Sequence, residues 1–329
     1  VSAAVLRFDM RAPAFSPARA DELYRAALDM SAWADEHGFT MIGLAEHHAS
    51  EDGYLSAPLA MAGLLAGRTR RIGITLGALL LPLYDPIRVA EDLAILDLAS
   101  GGRIVVVAGM GYRPEEYALF GKDWSARAKL FDDALGTVLR AWGRLPSEPG
   151  DRARRVTPKP LSDRHPILAV GGSSRAAARR AARFALPFAP AVRDETLADL
   201  YRAECARLGV ARPRVFDLGL APALFVSEDP ERTWKELEPH FLHDARCYAS
   251  WQREGTRSFW HSHALSADDL RAEGKYLVLT PEQCIEEASK KGDQAVFHLS
   301  PLVGGAPPQI GWRSLELFTS RVMPRLRGV

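Results

Sequence analysis

The sequence predicts an α/β protein, a (β/α)8 TIM barrel, on three observations. Short apolar runs alternate with amphipathic stretches along most of the 329 residues, the pattern of parallel strands covered by helices. About eight such units occur, enough to close a barrel. The second run, Phe39-Thr-Met-Ile-Gly-Leu-Ala, stops abruptly at Glu46, His47 and His48. Titratable groups at the C-terminal end of a strand stand where barrels carry their chemistry.

The elements follow in order. Residues 5–8 read as the first strand. Asp21 can cap a helix running to about residue 36, which Gly38 ends. Within it Ala26, Ala27, Met30, Trp33 and Ala34 recur at helical spacing. Residues 39–44 form the second strand, 57–66 a small-residue helix and 72–81 the third strand, followed by Pro82 and Pro86. A helix over 89–99 closes on Ser100-Gly101-Gly102. Residues 104–108 are the fourth strand and 127–142 the fourth helix. The Pro-, Arg- and Ser-rich residues 144–165 form an excursion. Residues 167–170 are the fifth strand, and Gly171-Gly172-Ser173-Ser174 opens a helix over 175–184. A short sixth strand covers 186–191, a helix 195–208, the seventh strand 215–226 and a helix 230–248. Residues 251–280 are irregular and polar-aromatic, a second excursion. A helix over 281–290, the eighth strand over 294–299 and a helix over 314–321 complete the series. No internal repeat or low-complexity tract occurs, and residues 1–329 read as a single domain.

Composition narrows the function classes. The chain is 47% hydrophobic and 25% charged, with net charge +1. That is ordinary globular usage, with no global field to attract nucleic acid or an anionic membrane. Cys205, Cys247 and Cys284 are dispersed, which argues for a reducing compartment and against a disulfide framework or zinc knuckle. A basic segment followed by an apolar one is missing at the start, as is any run of about 18 uncharged apolar residues. The expectation is a cytoplasmic protein.

The other strand ends carry small residues. The third ends around Gly77-Ala78-Leu79, the fourth at Gly109-Met110-Gly111-Tyr112 and the fifth at Gly171-Gly172-Ser173-Ser174. Such ends leave room for a flat or bulky ligand against the backbone. The fifth turn offers helix N–H groups, two hydroxyls and Arg175 to an anion; an ordinary capping turn accounts for it equally well. Gly109-x-Gly111 is followed by Pro114 where a dinucleotide fingerprint needs its third glycine, which excludes a Rossmann site. His261-Ser-His263 has the alternation of metal-dependent hydrolases, but it lies outside a strand and lacks further ligands, so no metal centre is expected. His298, late in the eighth strand, faces the site or packs. Glu91, Asp92 and Arg103 read as a structural ion-pair set. Phe8, Tyr54, Tyr112, Trp251, Phe259 and Trp260 are candidate pocket liners. They suit an apolar or ring-containing substrate, and equally the packing of loops.

Together these residues resemble the bacterial luciferase-like flavin-dependent monooxygenase family. The likeness is carried by Ala45-Glu-His-His48, Pro86-Ile-Arg-Val-Ala-Glu-Asp92, Asp97-Leu-Ala-Ser-Gly-Gly-Arg103 and Gly109-Met-Gly111 with Glu116-Tyr-Ala-Leu-Phe-Gly121. It continues through Gly171-Gly-Ser-Ser174 and Pro301-Leu-Val-Gly-Gly-Ala-Pro307. The resemblance implies a barrel, usually dimeric, that binds reduced FMN at its C-terminal face. It implies oxygenation of a small organic substrate through a flavin hydroperoxide, with a separate flavin reductase as partner and a homodimer as assembly. Deazaflavin-dependent hydride transfer on the same fold is the alternative, and a non-catalytic flavin-binding subunit a further one. His47 matches the family's catalytic histidine; Glu46 or His48 would orient it, and Glu46 reads equally as a buried structural partner. Ala78-Leu79 falls at the family's non-prolyl cis peptide beside the flavin ring. Gly172, Ser173 and Ser174 fall at its phosphate site. Gly109-Met110 stands where luciferase has a Cys-Arg pair, so a basic phosphate contact is missing there unless Arg175 replaces it. Long-chain aldehyde and light emission do not carry over.

Overall fold

The computed structural model describes all residues except 1, 2, 163, 217–220, 254, 293, 294 and 327–329. Its frame is a parallel sheet of nine strands among the described residues. They are β1 (Ala3–Phe8), β2 (Met41–Leu44), β3 (Gly73–Leu80), β4 (Ile104–Gly109), β5 (Ile167–Gly172), β6 (Phe188–Pro190), β7 (Ala223–Val226), β8 (Tyr276–Leu279) and β9 (Val296–Leu299). The lateral order is β6-β5-β4-β3-β2-β1-β9-β7-β8. The last strand therefore lies beside the first, as closing a barrel requires.

The predicted run over 215–226 divides. Val215 bridges Phe188 of β6, whereas Ala223 and Leu224 pair with β9. The two ends of one run thus reach opposite ends of the strand series. Residues 217–220 of the predicted seventh strand, and residue 294 of the eighth, lie outside the described residues. The 251–280 stretch is more regular than expected. A helix, Ala267–Glu273, and β8 lie within it, and β8 pairs with β7 in parallel. Four apolar residues bounded by charged and polar ones gave a periodicity signal too short to separate from loop.

Strand alternation sorts the side chains. Leu6, Phe8, Ile42, Leu44, Ile74, Leu76, Val106 and Leu168 point outward and join Leu23, Met30, Val89 and Leu93 of the covering helices in the main core. Facing inward, Val107, Ala169 and Ala189 form a small layer with Ala78. The inward layer on β4, β5 and β6 is thus apolar, whereas Arg7, Thr75 and His298 sit on the inward faces of β1, β3 and β9.

The ion-pair set differs from expectation. Arg88 pairs with Asp92 at 3.1 Å. Arg103 instead donates to the carbonyls of Ala66, Thr69, Ile72 and Ser100, tying helix ends to β4. Among the described residues no helix is long and apolar enough to cross a membrane.

Candidate active site

The three titratable residues after β2 divide between two faces. Glu46 and His48 meet each other, with His48 Nε2 2.8 Å from Glu46 Oε1. Glu46 also accepts from the Leu80 N–H at 2.7 Å and the Tyr84 hydroxyl at 2.7 Å. His47 turns the other way. Its Nδ1 lies 2.9 Å from Glu116 Oε1, and its Nε2 lies 3.3 Å from the Tyr112 hydroxyl at the end of β4. The orienting role expected of Glu46 or His48 therefore falls to Glu116, a residue whose side chain was not singled out from the sequence.

Glu116 is built to hold that imidazole. It is fully buried at the start of the short helix Pro114–Leu119. The same oxygen, Oε1, also accepts from the His48 N–H at 3.0 Å and from Arg113 at 3.3 Å. Its other oxygen is buried with no partner among the described residues. Burial, the largest cause, holds the His47 pKa below its ordinary value of 6.5 against the opposing pull of Glu116. His47 is therefore neutral near pH 7, with its proton on Nδ1 and its Nε2 lone pair toward the Tyr112 hydroxyl. A neutral imidazole fixed by a carboxylate is the arrangement of a general base.

Around His47 stands an aromatic wall. Its ring centroid lies 4.6 Å from that of Trp251, 4.9 Å from Tyr54 and 5.4 Å from Tyr112. The Tyr54 and Tyr248 hydroxyls meet at 2.9 Å. Behind the wall lies a buried ionic group around Arg11. This guanidinium reaches Asp244 at 2.9 Å and Asp52 at 2.5 Å and stacks on Tyr54 and Trp251. Asp52 also meets His243 at 2.8 Å. That hydrogen bond is the main reason the His243 pKa rises from 6.5 to about 9. Burial alone would raise Asp52, but His243, Arg11 and Ser50 together hold it below the ordinary carboxylate value. Cys247 lies 3.6 Å from His243. Asp9 and Arg11 follow β1, so the strand-end rule could have found them. Asp244 and Tyr248 sit within the helix Pro230–Trp251 and gave no sequence signal.

At the ends of β3, β4 and β5 the lining is backbone. The peptide between Gly77 and Ala78 is cis, one residue before the expected 78–79 bond. A Cβ at Gly109 would lie 2.7 Å from the Ala78 Cβ, and one at Gly171 2.7 Å from Val107 Cγ1. Only glycine fits at both, so β3, β4 and β5 present a flat surface there. At the end of β5, Ser174 caps the helix Arg175–Arg183 through its hydroxyl, and Ser174 and Arg175 are exposed.

Other expected residues lie elsewhere. Phe8 is buried on the outward face of β1 in the main core, as is Leu79 of β3, so neither reaches this space. Tyr54, Tyr112, Trp251 and Trp260 do gather there, Trp260 stacking on Tyr248 at 6.3 Å. Phe259 packs against Trp260 at 5.2 Å, with its N–H on Ala191 beyond β6. Met110 and Gly111 lead from β4 to Tyr112, and the Met110 carbonyl accepts from the Tyr117 hydroxyl.

Known proteins resemble the chain over most of its length. The family model described as luciferase-like monooxygenase matches residues 7–295. The N-acetyl-S-alkylcysteine monooxygenase of Bacillus subtilis is 26% identical over 302 residues, 86% of this chain and 88% of that one. Among solved structures, a monooxygenase from Streptomyces bottropensis superposes with a TM-score of 0.77 at 23% identity, covering 98% of this chain and 99% of its own. The FMN-bound oxygenating constituent of 3,6-diketocamphane monooxygenase from Pseudomonas putida gives 0.73 at 16%, with the same coverages. An F420-dependent secondary alcohol dehydrogenase gives 0.68 at 17%, covering 99% of this chain and all (100%) of its own. By its family match over nearly the whole length, and on a fold shared with these enzymes, the chain belongs to the luciferase-like monooxygenase family.

Proposed function

We propose that this chain is the oxygenating component of an FMN-dependent two-component monooxygenase, acting on a small organic substrate. The observation that carries the reading is His47. It is a buried neutral imidazole with Nδ1 fixed by Glu116, and its Nε2 faces the end of the glycine-bearing β4. The flat wall over Gly77-Ala78, Gly109 and Gly171 suits an isoalloxazine ring. The N-terminus of the helix Arg175–Arg183, with Ser173 and Ser174, suits its phosphate. Reduced FMN bound there would supply the electrons that activate oxygen. This chain's residues then bind and orient the substrate, exclude water through the Tyr54–Tyr248–Trp251 wall, and move a proton at His47 Nε2.

Support for oxygenation comes from the family match and from the monooxygenases among its relatives. Thioethers of the N-acetyl-S-alkylcysteine class are accordingly the first substrates to test. A nicotinamide fingerprint is missing from the sequence, in keeping with reduction by a separate reductase. A deazaflavin-dependent hydride transfer is the second reading, favoured by the likeness to the F420-dependent dehydrogenase. Anaerobic titration with reduced FMN and with reduced F420, followed by oxygen, separates the two. Tight FMN binding and oxygen-dependent product support the first; F420 binding with oxygen-independent turnover sinks it. His47→Ala is expected to keep FMN affinity within a few fold and to lower kcat by about 10²-fold or more. Parent-like turnover in that variant would remove His47 from the chemistry.

A further inference from the structure

We propose that Arg7 is the anchor for a carboxylate on the substrate, so that this enzyme acts on small organic acids. The proposal rests on the reading of the barrel mouth as an oxygenase site and specifies what that site accepts.

Arg7 lies on the face of β1 opposite Leu6 and Phe8. The register sets it beside Gly43 of β2, the strand that leads to His47. On the other side Leu6 pairs with Leu299, so Arg7 stands level with Ser300, the residue after β9. Its guanidinium lies 3.9 Å over the Trp260 ring and donates to the Tyr248 hydroxyl at 3.0 Å. Through Tyr248 and Tyr54 it is joined to the wall around His47.

The three arginines of this wall differ in one respect. Arg11 has Asp52 and Asp244 in contact, and Arg113 has Glu116. Arg7 has no carboxylate at ion-pair distance among the described residues. The two nearest acids are engaged elsewhere. Asp9 accepts from the N–H groups of Arg11 and Gly304, and Asp244 from Arg11 and Tyr276. They act on Arg7 only through space. A guanidinium has five donors in a planar fork, and among the described residues only Tyr248 accepts from it. Half-buried beside Trp260 and Tyr248, such a group can take an anion at its open edge.

A second observation lies beside it. Ser300 Oγ and His298 Nδ1 are both buried with no hydrogen-bond partner among the described residues. Burial, and then Arg7, push the His298 pKa down to about 4, so the ring is neutral and can donate from one nitrogen. A carboxylate taking the Arg7 fork, with Ser300 and His298 at its edge, would satisfy groups that the fold leaves open. A neutral substrate would leave the guanidinium unpaired. The body of the acid would then lie along the aromatic wall toward His47.

The test is equilibrium binding read through tryptophan fluorescence, with matched acids and amides. Phenylacetate is compared with phenylacetamide, and N-acetyl-S-benzylcysteine with its amide. The parent protein is expected to bind at least one acid roughly tenfold or more tightly than its amide. Arg7→Gln should abolish that preference, and Arg7→Lys, which keeps charge without the fork, should retain part of it. Ser300→Ala should weaken the acid and leave the amide unchanged; with the Lys variant it carries the test should Arg7→Gln fail to fold. Equal binding of acid and amide by the parent, no binding of either acid, or a preference that survives Arg7→Gln overturns the proposal. Anaerobic titration with reduced FMN runs alongside. Unchanged affinity in Arg7→Gln is expected; a loss of FMN affinity with the acid preference intact assigns Arg7 to the flavin and also overturns it. A parent protein that binds the acids but not reduced FMN retires the flavin reading and leaves the anchor in place.

Discussion

Glu116 decides what His47 can do. Its Oε1 receives the imidazole Nδ1–H, the His48 N–H and Arg113, so the ring is held in one tautomer and one orientation. Substituting Glu116→Gln removes the charge and offers an amide that can turn its N–H₂ toward the ring. The expected loss in kcat is about 10- to 100-fold, at or below the lower end of what a positioned general base contributes. The pH profile distinguishes positioning from mere packing. Glu116 raises the His47 pKa against the larger depression from burial. Without that charge the pKa falls further, so the acid limb of kcat/KM should move to lower pH. A limb that stays in place while kcat falls would leave Glu116 only a structural part. The sequence made His47 legible because a titratable group directly follows an apolar run. Glu116 stood 69 residues away, and no spacing rule links a strand end to a helix start on another βα unit. Phe8 was legible as aromatic but not as outward-facing, since a register of one residue decides the face.

At the scale of elements, the helix Pro230–Trp251 does more than cover the sheet. It delivers His243, Asp244, Tyr248 and Trp251 to the barrel mouth, where Arg11 and Asp52 meet them. Its attachment is pH-dependent. The His243 pKa is raised from 6.5 to about 9, chiefly by Asp52. A histidine raised on folding contributes stability that is complete below pH 6.5 and is lost as pH rises through 9. The side chain is about a quarter exposed (26%), so the contribution is of order 1–3 kcal/mol after screening. Urea midpoints measured at pH 6, 7.5 and 9 should therefore fall across this window in the parent relative to His243→Gln. Parallel pH curves for the two proteins would disprove the linkage. Strand and helix order was legible because periods of 2.0 and 3.6 residues repeat through most of the chain. The end of this helix was not. Ala249, Ser250 and Trp251 extend it past the predicted residue 248 because Trp251 packs on Arg11, Arg113 and His47, contacts that no local pattern announces.

For the whole molecule, the outer face carries an apolar patch. The helix Pro58–Arg68 buries Met61, Ala62, Leu65 and Ala66, yet its solvent side carries Ala60, Leu64 and Gly67 and no charge before Arg68. The neighbouring helix Pro86–Ser100 likewise exposes Ile95, Leu98 and Ala99. Leu64 is 57% exposed and Ile95 52%. A groove of about 490 Å³ runs from Ala57 and Ala60 past Ile95 and Leu96 to Phe120 and His48. The apolar outer side of the helix Pro58–Arg68, with Ile95 and Leu98 beyond the charged first turns of its neighbour, suits an assembly, and small residues there allow another helix to come close. We propose that a second copy of the chain packs here about a twofold axis, each copy presenting the same helix pair. The groove ends at His48, whose ring lies 4.7 Å from Phe120, so the interface would brace the Glu46–His48 pair from behind. Light scattering on the eluting protein should give twice the 36.1 kDa of the chain. The double variant Leu64→Glu with Ile95→Glu places two carboxylates per copy on the axis-facing surface and should elute as a folded monomer with a lower thermal midpoint. A parent protein that runs as a monomer at micromolar concentration, or a double variant that remains dimeric, would move the interface elsewhere and leave this apolar face without an occupant.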